Sequence, residues 1–378
     1  MNTRRRTWLG NGLLLVVAVG ATLAGFEVIL RFALPQKLYR YPHDLFRPDE
    51  EIGFVLNPEF SGELKTPEFR THLAINSLGF RNAEIAPKPK GALRVLVVGD
   101  SFVSALNVES EESFVSIAGG ALAHRLGAGR VELVNAGTPN YGTWHELRVL
   151  RRFARSLEID VAVLCVFVGN DLEDNLHPMS AMVRDGYLVE RKSVSGLLPR
   201  PVRAWLQRHS MSYVFLWNAW HRMRDWVGGR TPNPMDPFKG FLTSGGDSPI
   251  EDGYRVSGGL LREAKDDAAG LGIPLLVVVI PQEIQVYPEQ FTTFAAGVLG
   301  SDGLARYDLT QPSRRWATLA ESLGLPTVDL LPVFRARNTG PPLYMRLDGH
   351  LTVEGNKVAG EAIASAMIPL LAEKGSVR

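Results

Sequence analysis

The sequence predicts a three-layer α/β fold, a parallel sheet of about five strands with helices on both faces. Two observations carry that prediction. From Leu93 onward, strand-length apolar segments alternate with helix-length amphipathic ones. Two of the apolar segments, Val161–Val168 and Leu275–Ile280, are unbroken runs, as strands buried on both faces require. An N-terminal apolar helix precedes this rhythm and a helical insertion interrupts it.

The apolar segment runs from Trp8 to Leu34 behind Arg4-Arg5-Arg6. Roughly twenty apolar residues cross a bilayer as a helix. Residues 1–35 are therefore expected to be a transmembrane anchor. The arginines predict a cytoplasmic N-terminus and an exported body. Glu27 and Arg31 interrupt the run at helical spacing near one end, where they can pair and reach the interface. The alternative is a signal peptide cleaved after Ala24. No cysteine lies near the end of the run, so a lipoprotein anchor is excluded.

Pro35 is expected to end that helix. Residues 36–92 are mixed and proline-rich, and read as a small appendage packed on the main domain. Within them Phe69–Ile75 alternates like a strand. Asn76-Ser77-Leu78-Gly79-Phe80 reads as a turn, and Pro87–Gly91 as the linker into the main domain.

The main domain is expected over residues 93–375. Its strands are Leu93–Val98, Val131–Asn135, Val161–Val168, Pro274–Ile280 and Thr327–Leu330. Its helices are Ser113–Leu126, Thr143–Leu157, Leu260–Leu271, Pro312–Leu323 and Val353–Leu371. The insertion occupies residues 177–255. Arg200–Trp226 is helix-like and carries Trp205, Tyr213, Phe215, Trp217, Trp220 and Trp226, while Gly228–Gly253 is loop-like. Three readings of those aromatics stand side by side. They form a lid or substrate platform, a helix at the membrane interface, or an ordinary amphipathic helix packed on the core.

Composition removes several function classes. The net charge of +1 offers no electrostatic footprint for nucleic acid. The single cysteine, Cys165, excludes an internal disulfide and sits in an apolar run, as a buried inert thiol would. There is no His-Glu-x-x-His pattern, cysteine pair or acidic calcium loop, so no metal site is expected. No glycine-rich phosphate loop follows the first strand, and no cofactor is expected.

Candidate chemistry begins at Gly99-Asp100-Ser101-Phe102, directly after the apolar run Val95–Val98. This places a hydroxyl outside the carboxyl end of a buried strand, where open α/β sheets bind ligands. Alone, Ser101 could merely cap the following segment. A serine nucleophile needs a neighbouring base. His350, in Asp348-Gly349-His350 before the last helix, is the choice. The other histidines (His43, His72, His124, His145, His177, His209 and His221) lack comparable context. Asp348 is the candidate to orient the ring.

With Asn135-Ala136-Gly137 and Gly169-Asn170-Asp171, these blocks resemble those of the SGNH (GDSL-type) hydrolase superfamily. Its members are esterases, lipases, carbohydrate deacetylases and some acyltransferases. The resemblance covers roughly residues 93–372, the insertion excepted, and the fold expected is three-layer and flavodoxin-like. It implies an oxyanion hole built from the backbone N–H groups of Ser101 and Gly137 and the side-chain amide of Asn170. One departure stands out: the commoner pattern puts two residues between aspartate and histidine, and here only Gly349 intervenes. The anchor, the Asn76–Arg81 stretch and the final block together resemble anchored members among bacterial envelope and exopolysaccharide proteins.

The expected function is a serine esterase that removes acyl, in particular acetyl, groups from envelope or exported carbohydrate through a Ser101 acyl-enzyme. An O-acyltransferase using the same residues is one alternative. A non-catalytic scaffold of an envelope complex is the other. The expected location is the cytoplasmic (inner) membrane, single-pass, with the body periplasmic and polysaccharide machinery as partner.

Overall fold

The computed structural model describes residues 3–34, 36, 38, 41–191, 198–228, 235–243 and 248–376. In chain order the elements begin with α1 (Thr3–Ala33). Two antiparallel pairs follow, β1–β2 (Phe46–Asp49, Gly53–Leu56) and β3–β4 (Ser61–Lys65, Arg70–Ala74). Next come β5 (Leu93–Val98), α2 (Ser101–Ser104), α3 (Phe114–Leu126), β6 (Val131–Asn135), α4 (Thr143–Phe153), β7 (Val161–Phe167) and α5 (Asp171–Leu176). A third pair, β8–β9 (Ala181–Arg184, Tyr187–Glu190), precedes α6 (Arg200–His209) and α7 (Met211–Val227). The chain closes with α8 (Ser248–Gly270), β10 (Leu275–Ile280), α9 (Glu283–Val286), α10 (Pro288–Leu304), α11 (Gln311–Ser322), β11 (Thr327–Asp329), α12 (Leu330–Arg335) and α13 (Val353–Ser376).

These elements divide into two units. One comprises Met1–Arg40 and Val194–Pro234 and holds α1, α6 and α7. The other comprises Tyr41–Ser193 and Met235–Arg378 and holds everything else. The hairpin residues Leu45, Phe46, Phe54, Leu64 and Leu73 share one hydrophobic core with the main sheet.

The main sheet is parallel, in the order β11-β10-β7-β5-β6. Counted among sheet strands alone, that is 2-1-3-4-5, the flavodoxin-like order. Side chains alternate across it as strand geometry demands. Leu96, Val98, Leu164 and Val277 enter one core with α4, α8 and α11. Val95, Val97, Val163 and Val278 enter the other with α3, α12 and α13. Burial on both faces explains why these strands carry unbroken apolar runs.

Three regions differ from the sequence reading. Arg200–Trp226 is two helices, broken at Ser210, which is extended (φ −117°, ψ 108°) and caps α7 by accepting from Tyr213 N at 3.1 Å. Of the loop expected over Gly228–Gly253, residues 229–234 and 244–247 lie outside the described residues, and α8 begins at Ser248 instead of Leu260. Glycine disfavours helix, but Gly253 lies where a Cβ would come within 3.1 Å of Leu172, so the close approach of α5 decides. The β8–β9 hairpin turns on Asp185-Gly186, both at positive φ (52° and 74°), a turn signal that was present in the sequence. Pro35, expected to end the apolar helix, also lies outside the described residues; α1 ends at Ala33.

Candidate active site

The topology reverses at β5, and the carboxyl end of that strand is where the site forms. Val97 is level with Asn135 of β6, and Val98 with Leu164 of β7. The loops after all three strands therefore leave the same edge of the sheet. Ser101 opens the short helix α2, whose N-terminus is capped by Asp100 Oδ1 accepting from Phe102 N at 2.8 Å. The helix stops after one turn because Ala105 is left-handed (φ 47°).

His350 arrives from the loop before α13. Its Nε2 is 2.7 Å from Ser101 Oγ, and its Nδ1 is 2.5 Å from Asp348 Oδ1. With Nδ1 protonated, that N–H donates to Asp348 and Nε2 is left to accept from the serine hydroxyl. The Asp348 side chain is 7% exposed and that of His350 12%, so little water competes for either bond. Gly349, at φ 81°, makes the tight turn between them. The Phe102 ring lies 4.8 Å from the imidazole and forms a wall beside it.

Gly137 packs against the backbone that follows Ser101. A Cβ there would lie 2.4 Å from Ser104 N and 2.6 Å from Val103 Cβ, so only glycine fits. Its N–H donates to Asn135 Oδ1 at 3.1 Å, and Asn135 Nδ2 donates to Val103 O at 2.8 Å. Asn170 stands at the N-terminus of α5. Its Nδ2 donates to Asp174 Oδ2 at 2.5 Å, while its Oδ1 is buried without a hydrogen-bond partner. The structure thus joins Ser101, His350 and Asp348 in one bonded chain and seats Gly137 behind α2. Asn170 bonds to Asp174 and to none of the other candidates.

Three supports escaped the sequence reading. Arg81, 2% exposed, donates from Nη1 to Ser104 O and Ala105 O, and from Nη2 to Val108 O at 2.7 Å. It therefore holds the carbonyls that α2 leaves open at its C-terminal end. Burial pulls its pKa down to about 10, and it stays charged at neutral pH. The signal was Asn76, whose side chain accepts from Leu78 N and Phe80 N, both at 3.0 Å, and sets the turn that delivers Arg81. Glu68, beyond β3, accepts from Leu347 N at 2.9 Å and Asp348 N at 2.6 Å, fixing the backbone at Asp348.

The third support is a group of buried acids, Asp100, Glu146, Asp171 and Asp174. Burial pushes all four pKa values up, Asp100 to about 6 and Asp174 to about 7, and neighbouring carboxylates reinforce the shift at Glu146, Asp171 and Asp174. Neither oxygen of Glu146 has a hydrogen-bond partner. Among the described residues, no group of three or more His, Cys, Asp or Glu is arranged to hold a metal ion. Burial also raises the Cys165 thiol pKa well above its ordinary value, which leaves it unreactive. His145, stacked on Tyr141, is driven down to about 4 by burial and is neutral at physiological pH.

Residues 250–376 match a family model described as "SGNH hydrolase-like domain, acetyltransferase AlgX". The match contains Asp348 and His350 and begins downstream of Ser101, Gly137 and Asn170. No curated protein matches the chain. Among solved structures, the chain is similar to LAE5, an alpha/beta hydrolase enzyme from the metagenome of Lake Arreo, Spain (12% identity, 75% of this chain, 99% of that one, TM-score 0.42). It is also similar to an acetyl xylan esterase, AlAXEase (15%, 73% and 100%, TM-score 0.40). A third is Axe2, an acetylxylan esterase from Geobacillus stearothermophilus (10%, 74% and 96%, TM-score 0.40). The family match makes residues 250–376 similar to an SGNH hydrolase-like domain, in keeping with the serine, glycine, asparagine and histidine blocks upstream and in the last loop.

Proposed function

We propose that this protein is a membrane-anchored serine enzyme that removes or transfers an acyl group, in particular acetyl, on an envelope or exported carbohydrate. The supporting observation is the unbroken chain from Ser101 Oγ through His350 to Asp348. His350 Nε2 takes the hydroxyl proton as Ser101 Oγ attacks the ester carbonyl. Asp348 holds the ring and stabilises the imidazolium. The oxyanion is met by the N–H groups of Ser101 and Gly137 and by Asn170 Nδ2. In the resting site the Gly137 N–H donates to Asn135 Oδ1, so it would be shared with the acyl oxygen. The imidazolium then protonates the departing alkoxide, leaving an acyl ester on Ser101. Water activated by the same histidine releases a carboxylic acid; a sugar hydroxyl in its place gives a transferred ester.

The choice of acetyl rests on the acetyltransferase named in the family match, and the envelope setting on the anchor. The helix Asn11–Ala33 contains an 18-residue stretch with a mean hydropathy of 2.4 and is long and apolar enough to cross a membrane. Arg4–Arg6 support a cytoplasmic N-terminus under the positive-inside rule, and with it a body outside the cytoplasmic membrane, in the periplasm. The deciding experiment is p-nitrophenyl acetate turnover by the detergent-solubilised chain beside Ser101→Ala. Turnover lost in the variant supports Ser101 as nucleophile and makes hydrolysis the default. A burst without turnover favours the transferase. No reaction with either protein, both folded, and no labelling of Ser101 by a fluorophosphonate would sink the reading in favour of the scaffold.

A further inference from the structure

The N-terminal unit contains an arrangement that an anchor alone does not need. Glu27, inside the apolar segment of α1, accepts from Ser210 Oγ at 3.1 Å, Met211 N at 3.0 Å and Ser212 N at 2.9 Å. Arg31 bonds Glu27 at 2.8 Å and donates to His209 O at 2.7 Å. The two charges in the apolar run are therefore occupied in pinning the corner between α6 and α7 to the last turns of α1. Phe26 and Phe215 pack edge-on beside that corner, ring centroids 5.6 Å apart.

Beyond the corner, α7 turns an apolar stripe away from its own unit. Leu216, Trp220, Met223 and Val227 recur at helical spacing, and each is 49–74% exposed. Trp205 of α6 and Trp226 are exposed as well. Such a contiguous face marks an interaction surface. Its position says what covers it. The apolar segment Asn11–Ala33 is 23 residues, about 35 Å of helix. That slightly exceeds a hydrocarbon core of about 30 Å. The Glu27–Arg31 corner thus falls where α1 leaves the hydrocarbon. Tryptophan concentrates at that depth. The pair of helices also carries Arg200, Arg203, Arg208, Arg222 and Arg224 against Asp225 alone, the balance that suits headgroup phosphates.

We propose that α6 and α7 are a lipid-binding pair lying at the bilayer surface, with Leu216, Trp220, Met223 and Val227 entering the boundary between headgroups and acyl chains. This rests on the reading of α1 as a membrane span. The anchor then has two parts, a spanning helix and a surface clamp locked to it by Glu27 and Arg31.

The test uses the full chain in phosphatidylcholine–phosphatidylglycerol vesicles. Its one native cysteine is buried, so nitroxides can be placed through Leu216→Cys, Trp220→Cys, Met223→Cys, Asn218→Cys and Val16→Cys. Relaxation by oxygen, which partitions into lipid, is compared with relaxation by a water-soluble nickel chelate. The expected oxygen-to-nickel ratio at residues 216, 220 and 223 approaches that at Val16 and exceeds that at Asn218 several-fold. Ratios equal to that at Asn218 would overturn the clamp, leaving a solvent-facing stripe. Low access to both relaxants would overturn it in favour of a second copy or a protein partner. An aqueous ratio at Val16 would overturn the span itself and the clamp with it. Three labelled positions on one stripe keep the outcome clear of a single misfolded variant.

Discussion

Asp348 and His350, only two residues apart, hydrogen-bond to one another at 2.5 Å across a left-handed Gly349. The shortened spacing is accommodated by that one backbone angle. Asp348→Asn is expected to lower kcat on p-nitrophenyl acetate by about 10³- to 10⁴-fold, because the amide no longer holds the required tautomer. His350→Ala should do at least as much. A far smaller loss in Asp348→Asn would show that Asp348 only assists. At Gly349 a Cβ meets nothing within 4 Å, so alanine costs only the left-handed backbone, about 1–2 kcal/mol. Activity should fall in the order wild type, Gly349→Asn, Gly349→Ala, since asparagine tolerates that region.

Asp174 should act through Asn170. Its carboxylate accepts from Asn170 Nδ2 at 2.5 Å and so sets which end of that amide is the donor. Asn170→Ala is expected to cost about a hundredfold or more in kcat. Asp174→Ala should lower kcat about tenfold with KM little changed, and the double variant should be no worse than Asn170→Ala. Additive losses in that cycle would separate the two residues.

Arg81 spans three carbonyls at and beyond the end of the helix that Ser101 opens, a fork that lysine cannot reproduce. Each buried carbonyl left unpaired costs about 1–3 kcal/mol. Arg81→Lys is therefore expected to lower both the thermal midpoint and kcat. A full kcat at a lowered midpoint would show that α2 keeps its place without the guanidinium.

The buried acids predict an inverted pH dependence of stability. Unfolded carboxyls titrate near pH 4, whereas burial raises Asp100 to about 6 and Asp174 to about 7 and pushes Glu146 and Asp171 well above the ordinary carboxylate range. The folded state therefore binds more protons across that window, and stability falls as pH rises through it. Asp49 works the other way. Its paired bonds to Arg152, at 2.7 and 2.8 Å, hold it at about 2, so its contribution is full above about pH 4 and is lost as pH falls toward 2. Thermal midpoints should peak in mild acid. Glu146→Gln should raise the midpoint at pH 9 and change it little at pH 5. An unchanged slope with pH would remove Glu146 from the account.

By itself the sequence determined the fold class and the strand segments, and it singled out the candidate reacting groups. Strands buried on both faces must be apolar throughout, and an activated serine must have a base, so both leave local marks. Whether Asp348 could reach His350 across one glycine was not local, since it turned on a backbone angle held by Glu68 and the Met345–His350 bond. Asp174 and Glu146 were unreadable for a related reason. A buried ionisable group is defined by its neighbours in space, and those lie on other elements. The insertion shows the same division. Its tryptophans were plain in the sequence, but only the bonds from Glu27 and Arg31 determined which helix they sit beside, because that choice depends on partners about 180 residues away along the chain.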